Sequence, residues 1–221
     1  MRLFIASSAL KEYDYDLIKT ILIAKRYDFD GVQLYLTRKY LNNQYLENLK
    51  SAINNSNLEV IFHIPNKFDT LFIPAINYLL ENRKKRVVIH YNGEKIPNIE
   101  GFDLYFENDV FGIDEAYYEN LFRAIDERKN SCFVFDIARV FALESGKMEY
   151  DFANKILDRM KKDDIFHIID LKFSSKERED WIPFGDGILS KLKDKIKVMG
   201  NDTVFEYEDI SNCIESFFKI L

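Results

Sequence analysis

Six short apolar runs in this chain each end on a side chain able to hold a metal ion or move a proton. Cys132 to Phe135 ends on Asp136, Leu58 to Phe62 on His63, and Val87 to Ile89 on His90. Leu104 to Phe106 ends on Glu107, Ile165 and Phe166 on His167, and Val204 and Phe205 on Glu206. A charge at the end of a buried strand is costly unless a partner or a chelated ion compensates it. Imidazole and carboxylate together suit Zn²⁺, Mn²⁺, Fe²⁺ or Co²⁺ rather than a soft thiolate metal. One such ion would neutralise several buried carboxylates at once. The chain has 3 histidines, and all of them stand at these run ends. One alone reads more simply as a packed structural residue. Three, joined by Glu107, Asp136 and Glu206 at equivalent places, point to a shared centre.

The elements that must position them alternate between strand and helix. Leu3 to Ala6 and Val32 to Leu36 join the six runs above as strands, giving eight, and three of the six read more fully as Phe102 to Phe106, Ile165 to Ile169 and Thr203 to Phe205. Helical spacing marks Asp14–Arg26, Asn42–Asn55, about Asp69–Asn82, Asp114–Lys129, about Tyr150–Met160 and Ile210–Leu221, with a turn into a short helix over Gly185–Lys195. Strands followed by helices imply right-handed βαβ units and a parallel sheet. Eight of them imply an α/β fold of the closed (β/α)8 TIM barrel type, whose strand ends converge on one mouth. A G-x-G-x-x-G after the first strand, which would favour a dinucleotide fold, is absent. The interval from Tyr91 to Gly101 holds no helical pattern, so the helix after the fourth strand is expected to be short or absent. No domain boundary interrupts the chain, and residues 1–221 read as one barrel domain.

Composition narrows the partners. With 47% hydrophobic and 31% charged residues the 221-residue chain can bury a sizeable core. A net charge of -6 disfavours broad nucleic-acid binding, which needs clustered Lys and Arg. Cys132 and Cys213, in apolar surroundings, read as reduced core residues. No apolar run approaches the roughly 20 residues that span a bilayer, so a soluble cytoplasmic protein without membrane contact is expected. Nothing here fixes an oligomeric state.

The order of short motifs resembles the xylose-isomerase-like barrel superfamily, which contains sugar-phosphate isomerases and epimerases and endonuclease IV. Phe62-His63-Ile64-Pro65 is similar to its His-x-Pro after the third strand, and His90-Tyr91-Asn92-Gly93 to its His-x-Gly-like turn after the fourth. Glu107-Asn108 matches the Glu-Asn ending the fifth strand, Asp136 the sixth-strand carboxylate, and His167-Ile168-Ile169-Asp170 the seventh-strand His-x-x-Asp. Phe184-Gly185-Asp186-Gly187 is similar to the Gly-x-Gly turn before the last helices, and Glu206 ends the eighth strand.

The resemblance implies a divalent metal (Zn, Mn, Mg or Co) held by Glu107, Asp136, His167 and Glu206. Glu107 and Glu206 would also exchange protons with a small sugar or sugar phosphate through an enediolate. His63 and His90 match positions that hold an additional metal in endonuclease IV, or line the substrate pocket in single-metal relatives. Asp170 joins the substrate-binding set. The alternative implied is an endonuclease IV-like enzyme acting on abasic DNA, and the departures weigh against it. Arg139 stands where that enzyme has histidine, and its Asp-x-His falls on Glu179 and Trp181. Arg139 would bind a substrate phosphate or carboxylate bidentately, or serve as an ordinary ion-paired arginine. Trp181 is expected to wall the pocket. Gln33 stands where isomerases often carry Glu. The basic, aromatic stretch Tyr35–Tyr40 should overhang the mouth. Arg83–Arg86 reads as a solvated turn at the opposite face. Lys172 reads equally as a substrate contact or a surface lysine.

Overall fold

Alternation along the strands sorts the side chains into an inner and an outer layer. The computed structural model describes all residues except 65–69, 94–98, 142–146 and 173–180. The barrel strands are β1 (Leu3–Ala6), β2 (Gly31–Tyr35), β3 (Glu59–Ile64), β4 (Arg86–Tyr91), β5 (Asp103–Asn108), β6 (Ser131–Asp136), β7 (Ile165–Ile168) and β10 (Asp202–Phe205). They pair in parallel in that order, and β10 closes onto β1 with Phe4 opposite Val204. The protein is therefore a TIM barrel. Two short strands outside it, β8 (Asp170–Leu171) and β9 (Trp181–Ile182), pair antiparallel.

Successive strand side chains point to opposite faces. Phe4, Ile61, Val88, Tyr105, Val134, Ile165 and Val204 form one buried cluster inside the barrel. Their odd-step neighbours, among them Ile5, Phe62, Ile89, Phe106, Phe135 and Phe205, belong to the larger cluster shared with the helices. Two residues on from six members of the inner cluster come His63, His90, Glu107, Asp136, His167 and Glu206. The pleat therefore aims all six into the mouth. Gln33, two residues past Gly31 on β2, has the same parity.

The outer layer consists of α1 (Leu17–Arg26), α2 (Asn43–Ser56), α3 (Phe72–Leu79), α4 (Glu115–Asp126), α5 (Ala138–Phe141), α6 (Lys147–Arg159), α7 (Lys193–Met199) and α8 (Ile210–Ile220). Asp16, Asn42, Asp114 and Asp209 accept backbone N–H groups at the starts of α1, α2, α4 and α8. Such caps contribute about 1 kcal/mol each. Among the described residues no helix lies between β4 and β5, which is where the trimmed connection was expected. No described helix is long and apolar enough to cross a membrane. Cys132 and Cys213 are both free.

Glycine at position 31 is a matter of space. A Cβ there would lie 2.3 Å from the Phe4 ring and 2.5 Å from the Glu59 carbonyl oxygen. Its absence lets Phe4 fill the lower barrel. Below Phe4, Arg86 corrects one sequence expectation. It lies at the face opposite the mouth, as expected, but it is buried rather than solvated. Its guanidinium pairs with Asp202 at 2.9 Å and Glu59 at 3.2 Å, and donates to the Tyr105 hydroxyl at 3.2 Å. Arg2 pairs with the same two carboxylates. Arg83 likewise turns inward, donating to the Leu58 and Ile53 carbonyls.

Candidate active site at the barrel mouth

Glu107 is the centre of the mouth. Its Oε2 lies 3.4 Å from His63 Nε2, 3.4 Å from His90 Nε2 and 3.4 Å from His167 Nδ1. Glu206 approaches the same nitrogen of His167 at 3.1 Å and reaches to 3.7 Å from His63 Nδ1. Gln33 ties the group together. Its amide nitrogen donates to Glu206 Oε1, and its oxygen accepts from His167 Nε2 at 2.8 Å. His167 therefore carries a proton on Nε2, leaving Nδ1 to face both glutamates. In the sequence Gln33 stands out only as a Gln where isomerases often carry Glu. The signal for its role was its inward parity on β2.

The electrostatics follow from this crowding. Burial disfavours ionised Glu107, but His167 and the other two imidazoles outweigh it and hold its carboxyl below the usual range. Glu206 is held well below that range in the same way. Burial alone would lower His167, yet Glu206 and Glu107 raise it to about 10. His90 is lowered, chiefly by burial.

Whether a cation fits here is answered by atoms without partners. Among the described residues, Glu107 Oε2, His63 Nε2, His90 Nδ1 and His167 Nδ1 are buried with no hydrogen-bond partner. Two overlapping groups, His63–His90–Glu107 and Glu107–His167–Glu206, each bring their ligand atoms within 4.8 Å of one another. Buried imidazole nitrogens and carboxylate oxygens that converge in this way suit a divalent ion, which would replace the proton that Glu206 and Glu107 favour on His167. Asp136 is not brought into either group. Arg139 Nε donates to its Oδ2 at 2.7 Å, while Oδ1 is left without a partner. Burial raises Asp136 to about 6 despite the arginine.

No family model and no curated protein matches the chain. Solved structures do. D-allulose 3-epimerase from Methylomonas sp., in complex with D-allulose, aligns with a TM-score of 0.53 at 14% identity, over 94% of this chain and 84% of that one. An uncharacterised B. cereus protein aligns with a TM-score of 0.54 at 17% identity, over 97% and 63%. Phospho-2-dehydro-3-deoxyheptonate aldolase from Thermotoga maritima aligns with a TM-score of 0.51 at 10% identity, over 100% and 66%. These likenesses are of fold, the TIM barrel. The chain spans less than two thirds of the length of the B. cereus protein and about two thirds of the aldolase.

The TIM barrel distributes the remaining named residues unevenly. A cavity of about 700 Å³ opens above Glu107, and Trp181, Tyr35, Thr37, Lys39, Arg139 and Glu206 are among its walls. Arg139 is carried there by α5, the single helical turn after β6. It pairs with Asp109 at 2.7 Å and lies 3.5 Å from Glu107 Oε1, besides its bond to Asp136. Asp109 was not singled out by sequence. Asp170 is fully buried and turned to the loop that follows it. Its carboxylate accepts from the backbone N–H groups of Leu171, Gly185, Gly187 and Leu189 at 2.8–3.0 Å. Its oxygens are occupied by the fold, which departs from the substrate contact expected of it. Lys172 is exposed. Pro65 and Glu179 lie outside the described residues.

Proposed function

We propose that this chain is a divalent-metal-dependent isomerase or epimerase of a small sugar, acting as one domain. The observation that carries the reading is the convergence of Glu107 and Glu206 on His167 Nδ1 at 3.4 Å and 3.1 Å, at the floor of the cavity. Glu107, His167 and Glu206 would hold the ion, with Asp136 kept beside them by Arg139. When bound, the ion would polarise the substrate's carbonyl and hydroxyl and so acidify the adjacent C–H. Both glutamates are ionised at neutral pH, because the neighbouring imidazoles favour their charged forms. Glu206, the more exposed of the two, removes the proton from carbon. Glu107 takes up a proton from solvent and returns it from the other side of the enediolate, Glu206 gives the one it took back to water, and the pair acts as general base and general acid. His63 and His90 face the cavity and orient substrate oxygens.

Solvent exchange tests this. Incubation in D2O with Mn²⁺, Co²⁺, Zn²⁺ or Mg²⁺ and a panel of ketoses should place deuterium on the carbon next to the carbonyl, seen by NMR. Glu206→Gln should abolish that exchange. Absence of exchange with every sugar and metal would sink the reading. A second reading, hydrolysis of abasic DNA, draws on the His63–His90–Glu107 group. The net charge of -6 and the occupation of Asp136 by Arg139 oppose it. Nicking of an abasic duplex by the metal-loaded protein would revive it.

A further inference from the structure

We infer that the mouth selects an uncharged polyol or free sugar and rejects its phosphate ester, a refinement that rests on the sugar-isomerase reading above. Three separate features of the site carry it.

The first is the anion cradle. TIM barrels often hold a phosphate on backbone N–H groups of the loops after the seventh and eighth strands. Here the N–H groups of Gly185, Gly187 and Leu189, on the segment after β9, all donate to the carboxylate of Asp170. Gly187 packs so closely that a Cβ would lie 2.6 Å from Asp170 Oδ1 and 2.1 Å from the Leu171 carbonyl oxygen. The chain's own anion fills the cradle, and no room remains for another.

The second is the state of the cations. Among the described residues that line the cavity, the cationic side chains are Lys39 and Arg139. Arg139 already serves Asp136, Asp109 and Glu107. Lys39 pairs with Asp14 through its carboxylate at 2.9 Å and its carbonyl at 2.9 Å. The same wall carries the carboxylates of Asp14, Glu107, Asp136, Glu206 and Glu208. A divalent ion at the floor would be balanced by Glu107 and Glu206, leaving no surplus positive charge among the described residues for a phosphate dianion. Placing like charges together without compensation opposes binding.

The third is what does lack a partner. Ser8 Oγ and Thr37 Oγ1 are buried without hydrogen-bond partners among the described residues, and both residues line the cavity. Hydroxyls can donate and accept, so they complement the hydroxyls of a neutral polyol. A buried polar group that is paired only in the complex gives strong preference for a ligand able to pair it.

The test uses the one tryptophan, Trp181, which lines the cavity and reports its occupancy by fluorescence. The full chain is titrated with D-allulose, with D-allulose 6-phosphate and with inorganic phosphate. The free sugar should bind about tenfold tighter than its ester, and inorganic phosphate should give no saturable signal at millimolar concentration. Tighter binding of the ester, or saturable phosphate binding, overturns the inference. If no ketose of the panel binds and the ester and phosphate also fail, the sugar-isomerase reading falls and the selectivity for a free sugar falls with it, whereas preference for the ester overturns the inference alone. Asp109→Asn removes one of the carboxylates on Arg139 and should raise ester affinity about threefold relative to the free sugar. An unchanged ratio there would show that the occupied arginine does not set the selectivity, and would count against the inference.

Discussion

At the scale of single residues, the mouth depends on which nitrogen of each imidazole carries the proton. Gln33 decides this for His167 by accepting from Nε2 while donating to Glu206. Groups that orient a metal-binding histidine typically contribute about 10–100-fold to metal affinity or activity. Gln33→Leu should therefore weaken Mn²⁺ binding in calorimetry by about that factor, with a smaller effect on folding. Gln33→Glu, which keeps an acceptor for Nε2, should recover part of the loss. The protonation of His167 has its own signature. Its folded value of about 10 lies above the ordinary 6.5. Its contribution to stability is thus complete below pH 6.5 and is lost as pH rises through about 10. Urea denaturation of the metal-free chain should show stability declining across that window, and His167→Asn should flatten the decline. Metal binding must compete with the proton on Nδ1, so affinity should rise with pH over the same range.

At the scale of elements, two strands fix the barrel's interior through one missing side chain. Gly31 opens β2 and lies against Phe4 of β1, which fills the lower barrel. Gly31→Ala would press a methyl group on both the Phe4 ring and the Glu59 carbonyl, and the carbonyl belongs to the paired β3 backbone. Overpacking of this kind costs about 3 kcal/mol, read as a lower urea midpoint at constant slope. Six of the eight strands are legible because their apolar runs break off at a charge or an imidazole, and β1 and β2 because an apolar run precedes a helical pattern. The pleat then fixed which residues shared a face. The parity of Ile61 with His63, or Tyr105 with Glu107, is present in the sequence itself. The fate of Asp170 was not. A strand-end carboxylate reads the same whether it faces a cavity or is captured by the N–H groups of Gly185 and Gly187. The captors come from a loop, and loop geometry has no period to read. The burial of Arg86 is hidden in the sequence for a related reason. Its partners Glu59 and Asp202 are 27 and 116 residues away, and only barrel closure brings them together.

At the scale of the whole molecule, the barrel separates stability from chemistry along its axis. The base is a fully paired network: Arg86 and Arg2 share Asp202 and Glu59, and the Tyr105 hydroxyl completes Arg86. The mouth is the reverse, with unpartnered atoms on His63, His90, Glu107, Asp136 and His167. Asp202 at the base and Asp136 at the mouth should respond to acid with opposite signs. Burial alone would raise Asp202, but hydrogen bonds from Arg2 and Arg86 hold it below the usual 3.8. Its contribution is therefore present above pH 3.8 and is lost as pH falls through its lower folded value. Asp136, raised to about 6, favours its protonated form in the fold. Its contribution is present below pH 3.8 and is lost as pH rises through about 6. Asp202→Asn leaves Arg86 buried with a weakened partner set, and breaking a buried pair costs about 3 kcal/mol. That loss should appear in denaturation at neutral pH and shrink as both proteins are acidified. Because the change is confined to the base, Mn²⁺ affinity and the Trp181 titration with free sugar should stay at their original values. Loss of binding in step with loss of stability would mean that base and mouth form one cooperative unit, and that the strands do not divide the two roles.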